Sequence, residues 1–335
     1  MNTSSVALIE HDIYGGVLCT WTYPGVSSNI QALCVKRCIT EGLNCPFFYF
    51  KYKSDWIYVH TTMGGCVDPN LNGMSLCLIT RSFNPEKNQN LLELLAHQYI
   101  SSGDPTKILE GYLSVYTTGL FTNAKGSFKA TAYDDEKALQ GSSKLTDLIG
   151  LFEADTVILW NAILLKKRIL VFADSVPKVL EIIRTFPSLA VHRKDWNVFR
   201  PVIRDEPEHM EDIQAAGVYI AGTVDSSLML RTDLFDVIVS APDRRITVVD
   251  SSADDMRMGA LHREILNLMV PDEPADLNDG ALVAAIAQKT TVVLERLQSI
   301  QLDSKEETEE AIMGLSKNEA TNRWLCKLAA AEGII

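Results

Sequence analysis

The hydrophobic pattern of the chain changes its period within one stretch, Thr156–Asp174. The continuous apolar run Ile169–Phe172 predicts a strand covered on both faces, which is typical of the centre of an α/β sheet. Asp174 and Ser175, just before Val176, predict a turn that caps the next helix. The first half of the stretch has apolar residues at helical spacing, which predicts a buried helix: Val157, Leu159, Trp160, Ile163 and Leu164.

The N-terminal pattern is different and favours antiparallel strands. Val6–Glu10 and Val17–Tyr23 flank a glycine-containing turn and predict a hairpin. Ile30–Cys38 has helical spacing. Three further strands and two helices that begin at prolines are predicted at Phe47–Tyr52, Trp56–Thr62, Ser75–Thr80, Pro85–Ile100 and Pro105–Val115. Residues 1–122 therefore form an α+β module in this prediction.

Residues 123–143 are rich in Gly, Ser and Thr and carry an acidic run, which predicts a partly ordered linker. From 144 to 335 strands and helices alternate, so a mixed sheet with helices on its faces is expected. Further strands are predicted at Val198–Ile203, at Val218–Ala221 and in a hairpin at Phe235–Asp250. Further helices are predicted at Val176–Phe186, Pro207–Ala216, Met256–Val270, Ala281–Ile300 and Glu306–Glu332, the last with a break near Gly314.

Composition narrows the class of protein. The 335 residues are 47% hydrophobic, enough for packed cores, and the net charge of −12 argues against nucleic acid and anionic lipid as direct partners. The seven cysteines form no C-x-x-C and no apolar leader is visible, which is typical of a reducing compartment. No run is long enough for a transmembrane helix. We expect a soluble, cytosolic protein that needs a partner for any membrane association.

No motif in the sequence points to catalysis. It contains no P-loop, no dinucleotide-binding G-x-G-x-x-G after a strand, no G-x-S-x-G elbow and no H-E-x-x-H. The six histidines are scattered. We therefore predict no catalytic residue, no cofactor and no metal site, a pattern typical of an interaction protein.

Two clusters allow more than one interpretation. Cys34 and Cys38 have helical spacing and could begin a zinc site, but without two further ligands at a family spacing they favour core thiols. Lys166, Lys167 and Arg168 could bind a phosphate or an acidic partner. The alternative is a helix end whose cations suit the negative end of the helix dipole and reach solvent.

Trp21 and Tyr23 are the candidate partner-binding residues. In a regular strand they share one face with Cys19 and Val17. That face could pack on the helix predicted at Ile30–Cys38. Alternatively, the two rings form an exposed patch that binds a partner, since Trp and Tyr are enriched at interaction hot spots. The sequence leaves both interpretations open.

The order of motifs in the second module resembles the DENN domain family. The run from Val157 to Phe172, V-I-L-W-N-A-I-L-L-K-K-R-I-L-V-F, is similar to the central run of that family. Trp196, the segment Arg200–Ile203, the strand Gly217–Gly222 and the pair Asp236–Ala241 and Ile246–Val249 follow in the family's order. The chain departs from the family where Gly217 replaces a proline and where Ser240 and Ala241 replace an acidic ending.

The resemblance implies a bilobal module, with a longin-like lobe followed by an α/β lobe. It further implies guanine-nucleotide exchange on Rab GTPases. Exchange by such modules needs a broad, complementary surface and no side-chain chemistry, in agreement with the missing catalytic motifs.

Short segments such as Leu8–Glu10, Trp21–Pro24, Phe83–Lys87 and Leu328–Glu332 are similar to those of a small stand-alone member of the family. This likeness implies recruitment to late endosomes, with a Rab GTPase as partner. It also implies a second possibility: a non-catalytic adaptor that binds the coiled-coil subunits of the Commander endosomal recycling complex. A third, an unrecognised α/β enzyme, would require a deep polar pocket at the end of the strand Ile169–Phe172.

Overall fold

The computed structural model describes residues 4–134, 137–139, 141, 143–271 and 278–335. The chain divides into two compact units, Met1–Gly141 and Ser142–Ile335, and each is described by itself.

The first unit is built on a five-stranded antiparallel sheet with the strand order β2-β1-β5-β4-β3. The predicted N-terminal hairpin is confirmed, and it places β2 at an edge of the sheet. The fifth strand begins at Leu71, four residues before the predicted start at Ser75. The strands are β1 (Ser5–Asp12), β2 (Val17–Tyr23), β3 (Phe47–Tyr52), β4 (Asp55–Met63) and β5 (Leu71–Thr80).

Helices cover this sheet. Asn84 and Asp104 cap two helices that each begin at proline and end at a glycine in the left-handed region, Gly103 and Gly119. Residues 123–143, predicted to be a linker, contain the second strand of a short hairpin whose Phe128 is buried. The elements are α1 (Ser28–Arg37), α2 (Pro85–Ser102), α3 (Pro105–Thr118), β6 (Leu120–Asn123) and β7 (Gly126–Lys129).

A β-bulge in β2 corrects the prediction that Cys19 and Trp21 share a face. Leu8 pairs with Trp21, but Ile9, the next residue, pairs with Cys19, so the register shifts between them. Because successive residues of β1 point to opposite faces, so do Cys19 and Trp21. The side chain of Glu10, on the Leu8 face, accepts a hydrogen bond from Tyr99 of α2. Trp21 and Tyr23 therefore lie on the side of the sheet that α2 covers.

The cysteines of α1 lie in the core. Cys34 and Cys38 are fully buried, and the Sγ atom of Cys38 lies 4.0 Å from that of Cys77 on β5. Nearby thiols and burial raise the pKa of Cys77, so the thiol of Cys77 stays in its neutral form. The interpretation of Cys34 and Cys38 as small core residues is confirmed.

The second unit contains the predicted mixed sheet, in the order β12-β11-β8-β10-β9. The central run of the sequence forms β8, which pairs in parallel with β10 and β11, as expected for a buried middle strand. The hairpin at the edge is also confirmed. The strands are β8 (Ile169–Phe172), β9 (Phe199–Arg200), β10 (Ile220–Thr223), β11 (Val237–Ser240) and β12 (Arg245–Val248).

Helices surround this sheet and complete the unit. The break predicted near Gly314 separates α10 from α11, and Trp196 is buried against Phe199. The strand predicted at Val198–Ile203 is only two residues long in the structure, β9, because Pro201 has no N–H group to donate to a neighbouring strand. The helices are α4 (Leu145–Phe152), α5 (Thr156–Leu164), α6 (Val176–Thr185), α7 (Pro207–Ala216), α8 (Ala260–Met269), α9 (Asp279–Ile300), α10 (Lys305–Met313) and α11 (Glu319–Ala331).

Candidate functional site

The two sequence-predicted residues belong to a row of four aromatic rings on the first unit, the aromatic row: Trp21, Tyr23, Tyr112 and Tyr116. Trp21 and Tyr23 are stacked with ring centroids 6.4 Å apart. Tyr23 meets the edge of Tyr112 on α3 at 6.1 Å, and Tyr112 stacks on Tyr116 at 6.5 Å. The alternative in which this face packs on the helix of residues 30–38 is wrong for Trp21 and Tyr23, because both lie on the side of the sheet opposite Cys19 and the ring of Tyr23 contacts α3.

The aromatic row is anchored at Tyr112, and the rings on either side of it, Tyr23 and Tyr116, are partly exposed. Tyr112 is buried, and its hydroxyl donates a hydrogen bond of 2.6 Å to the carbonyl oxygen of Ser4. Burial raises the pKa of Tyr112, so the phenol remains a neutral donor. Tyr23 is 38% exposed and Tyr116 is 53% exposed. The row thus offers fixed, partly exposed rings, which lose little conformational entropy on binding a protein.

Sequence reasoning missed Tyr112 and Tyr116, although a signal for them exists. The two residues are four positions apart, so they lie on one face of α3. What the sequence did not show is that this face adjoins the edge strand β2. That neighbourhood depends on the tertiary fold.

The basic cluster after α5 is largely neutralised within the unit. The Nζ atom of Lys167 lies 2.6 Å from a carboxylate oxygen of Asp255, and Arg168 pairs with Asp236 at 2.8 Å. Burial would raise the pKa of Asp236, but hydrogen bonds from Arg168 and Ser252 outweigh it and lower the pKa. Lys166 is exposed. Two of the three cations therefore hold the fold together, and the cluster is not a free anion site.

The described ranges provide no metal centre: they contain no group of three or more His, Cys, Asp or Glu side chains placed to hold an ion. Within the same ranges, no helix has the length and apolarity that crossing a bilayer requires. Two pockets, of about 300 and 260 Å³, lie among the helices that follow the sheet of the second unit, and a third, of about 60 Å³, is lined by Ile169 at the start of β8.

Comparison with known proteins identifies the family. The family model described as DENN domain-containing protein 11 matches residues 81–250. DENN domain-containing protein 10 of Danio rerio is 33% identical over 340 residues, which covers 99% of this chain and 97% of the relative. The chain belongs to the DENN domain family. The protein of the same name from Mus musculus is 34% identical over 98% of this chain, and that from Dictyostelium discoideum is 28% identical over 98%.

DENN domain proteins are linked as a family to the regulation of Rab GTPases and to membrane trafficking. In this DENN chain, the motifs that carried the resemblance form the centre of the second unit. Asn161, on the central run, accepts a hydrogen bond of 2.7 Å from the indole of Trp324 in α11. The family motif therefore positions the C-terminal helix, and the candidate partner surface lies elsewhere, on the first unit.

A half-buried ion pair fixes the segment that follows α11. Glu332, just after α11, accepts hydrogen bonds from His192 at 3.3 Å and from the Nε atom of Arg193 at 3.1 Å. Arg193 also donates to the carbonyl oxygens of Ile163 and Leu164, which closes the C-terminus of α5. Burial would raise the pKa of Glu332, but these hydrogen bonds prevail and lower it to about 2.

We expect Glu332 to stabilise the protein above about pH 4.5, the ordinary value for a glutamate. The contribution, on the order of 2–3 kcal/mol, is lost as the pH falls from about 4.5 towards 2, since the folded pKa is the lower one. Glu332→Gln should therefore be less stable than wild type in urea unfolding at pH 7, and the difference should shrink at pH 3. Glu319→Gln is the control, because the Glu319–Arg323 pair is exposed and should contribute little. An equal difference at both pH values would contradict the expectation.

Proposed function

We propose that this DENN protein is a guanine-nucleotide exchange factor for a Rab GTPase. The observation that carries the proposal is family membership along the whole chain: the relatives align with 98–99% of it and with 96–97% of their own length. Both units are therefore shared with those relatives.

The mechanism requires differential affinity and no reacting side chain. A module that binds the nucleotide-poor form of a GTPase more tightly than the GDP-loaded form weakens GDP binding by the same factor, since linkage is reciprocal. A thousandfold preference corresponds to about 4 kcal/mol. The sequence contains no catalytic motif, and this mechanism needs none.

We expect the purified protein to accelerate the release of fluorescent GDP from at least one Rab, by about tenfold or more at micromolar concentration. The measurement is stopped-flow fluorescence over a panel of GDP-loaded Rabs. EDTA, which removes Mg²⁺ and releases nucleotide from every Rab, shows that each member of the panel can respond. A panel that responds to EDTA but not to the protein would eliminate the exchange proposal.

The aromatic row favours a second candidate function, that of an adaptor. In this alternative the protein is a non-catalytic subunit that binds the coiled-coil subunits of the Commander complex and is thereby recruited to late endosomes. The supporting observation is that Tyr23 and Tyr116 stay exposed although the row is fixed by Tyr112. The net charge of −12 agrees with recruitment by a protein rather than by anionic lipid.

Substitutions in the aromatic row distinguish this alternative. Trp21→Asp and Tyr116→Ala are each expected to lower the affinity for a Commander coiled-coil fragment by about 2 kcal/mol or more, close to thirtyfold. Tyr14→Asp is the matched control, because Tyr14 is 89% exposed on the turn of the same hairpin but outside the row. Calorimetric titration measures the affinity, and circular dichroism verifies the fold. If all three variants bind like wild type, the aromatic row is not the interface.

A further inference from the structure

A pocket of about 300 Å³ opens on the second unit between α8, α9 and α11. Its walls are mainly apolar and include Leu261 of α8, Val293 and Leu297 of α9, and Trp324 and Leu325 of α11. Val292, on the lining, is 58% exposed. Pockets that bind small ligands begin near this volume and have mostly apolar walls with a few polar groups.

One of those polar groups is a buried histidine. His262 is 2% exposed and lines the pocket, with its ring edge-on to Trp160 and Trp324. The backbone N–H of Gly259 donates to its Nδ1 atom at 3.0 Å, so the proton of the neutral ring is on Nε2. Burial lowers the pKa of His262 to about 4, which keeps the ring neutral. In the part of the chain that the structure describes, this Nε2–H has no hydrogen-bond partner.

The charges around the pocket leave a positive excess. Glu264 pairs with Lys289 at 2.6 Å and Arg257 pairs with Asp254 at 2.7 Å. Arg296, on α9, also lines the pocket and is exposed, and it forms no ion pair with any described residue. The lining thus combines an apolar floor with one uncompensated guanidinium group.

We propose that this pocket binds one acyl chain of an amphiphile with an anionic head group, the chemistry shared by free fatty acids and anionic membrane lipids. The acyl chain occupies the apolar floor beside Trp324. Arg296 binds the head group, since a guanidinium group pairs well with a carboxylate or a phosphate. A small amphiphile is favoured over a protein segment because the pocket volume matches that of a small-ligand site and its uncompensated charge is a single arginine. This site is separate from the exchange and adaptor functions.

Decanoate is the probe for binding of the acyl chain. We expect saturable binding in isothermal titration at pH 7.4, with a change in indole fluorescence because Trp324 lines the pocket. Val292→Trp narrows the mouth and is expected to weaken binding by at least about tenfold. Ala284→Trp, at an exposed position of the same helix outside the lining, is the matched control and should bind like wild type. Absence of saturable binding, or equal effects of both tryptophans, would overturn the proposal.

Binding of decanol, which lacks the carboxylate, tests the role of the head group. Binding to vesicles tests whether the ligand comes from a membrane. Arg296→Gln is expected to weaken the binding of decanoate by about tenfold and to leave the binding of decanol unchanged, because only the carboxylate of decanoate is charged. Equal losses of affinity for both ligands would overturn the assignment of Arg296.

Flotation of the protein with phosphatidylserine vesicles that is lost in Val292→Trp would assign the acyl chain to a membrane lipid. Decanoate binding without flotation would assign it to a free fatty acid. If a leucine-rich helical peptide displaces decanoate and binds more tightly than decanoate does, the proposal of an amphiphile as the ligand is overturned.

Discussion

Replacing Trp160 by alanine is expected to lower the free energy of unfolding of the second unit by about 3–5 kcal/mol. Trp160 is fully buried on α5 and stacks on Trp324 with ring centroids 6.1 Å apart. Its Nε1–H donates to the hydroxyl of Thr290 on α9 at 3.3 Å, and its ring meets the edge of His262 on α8. One side chain therefore contacts three other helices, and its removal leaves a cavity that all of them border.

Urea unfolding followed by far-ultraviolet circular dichroism measures this loss without relying on the tryptophan that has been removed. For a unit of this size we expect a fall in the thermal midpoint of roughly 6–20 °C. Trp160→Phe is the graded control, because it keeps a ring in the cavity and loses mainly the hydrogen bond, at about 1–2 kcal/mol. A loss below about 1 kcal/mol for the alanine variant would contradict the central role assigned to Trp160.

Gly222→Ala is expected to have the second largest effect, a destabilisation of about 3 kcal/mol or more. Gly222 lies within β10 and faces α6. A Cβ atom there would come within 2.7 Å of the Cδ1 atom of Ile183, and still closer to the carbonyl oxygen of Pro201 and to Val179. The side chains can move only partly and the carbonyl oxygen is backbone, so the strand itself must shift.

Gly150→Ala is the matched control for this substitution. Gly150 lies inside α4, and a Cβ atom there would meet nothing within 4 Å. Alanine should therefore stabilise the helix by about 0.5–1 kcal/mol. Calorimetric melting of both variants gives the comparison. Equal melting temperatures for the two variants would show that the space around Gly222 can open, contrary to the expectation.

Gly222 also shows where the sequence was ambiguous. Following an apolar run, a single glycine is compatible with any turn between a strand and a helix. The structure places it inside the strand, where the close approach of Pro201 and Val179 requires the absence of a side chain. The reason for the glycine is its neighbours, and these come from other parts of the chain.

The candidate site was predicted only in part. Trp21 and Tyr23 are recognisable in the sequence by their residue type, since Trp and Tyr are enriched at interaction hot spots. Their partners Tyr112 and Tyr116 were not predicted, because they come from α3, some 90 positions later in the chain. The bulge that separates Cys19 from Trp21 was also invisible, since no glycine or proline marks it.

The sequence by itself determined the elements whose causes are local. The apolar run Ile169–Phe172, the proline-initiated helices α2 and α3 and the terminal hairpin follow from period, capping and turn residues. Only the tertiary structure decided the role of the polar groups around the central run. Arg168 meets Asp236, Lys167 meets Asp255 and Asn161 meets Trp324 across 68, 88 and 163 positions of sequence. Periodicity reports the neighbours of a residue within its own helix or strand. Pairing over such distances depends on how the elements pack.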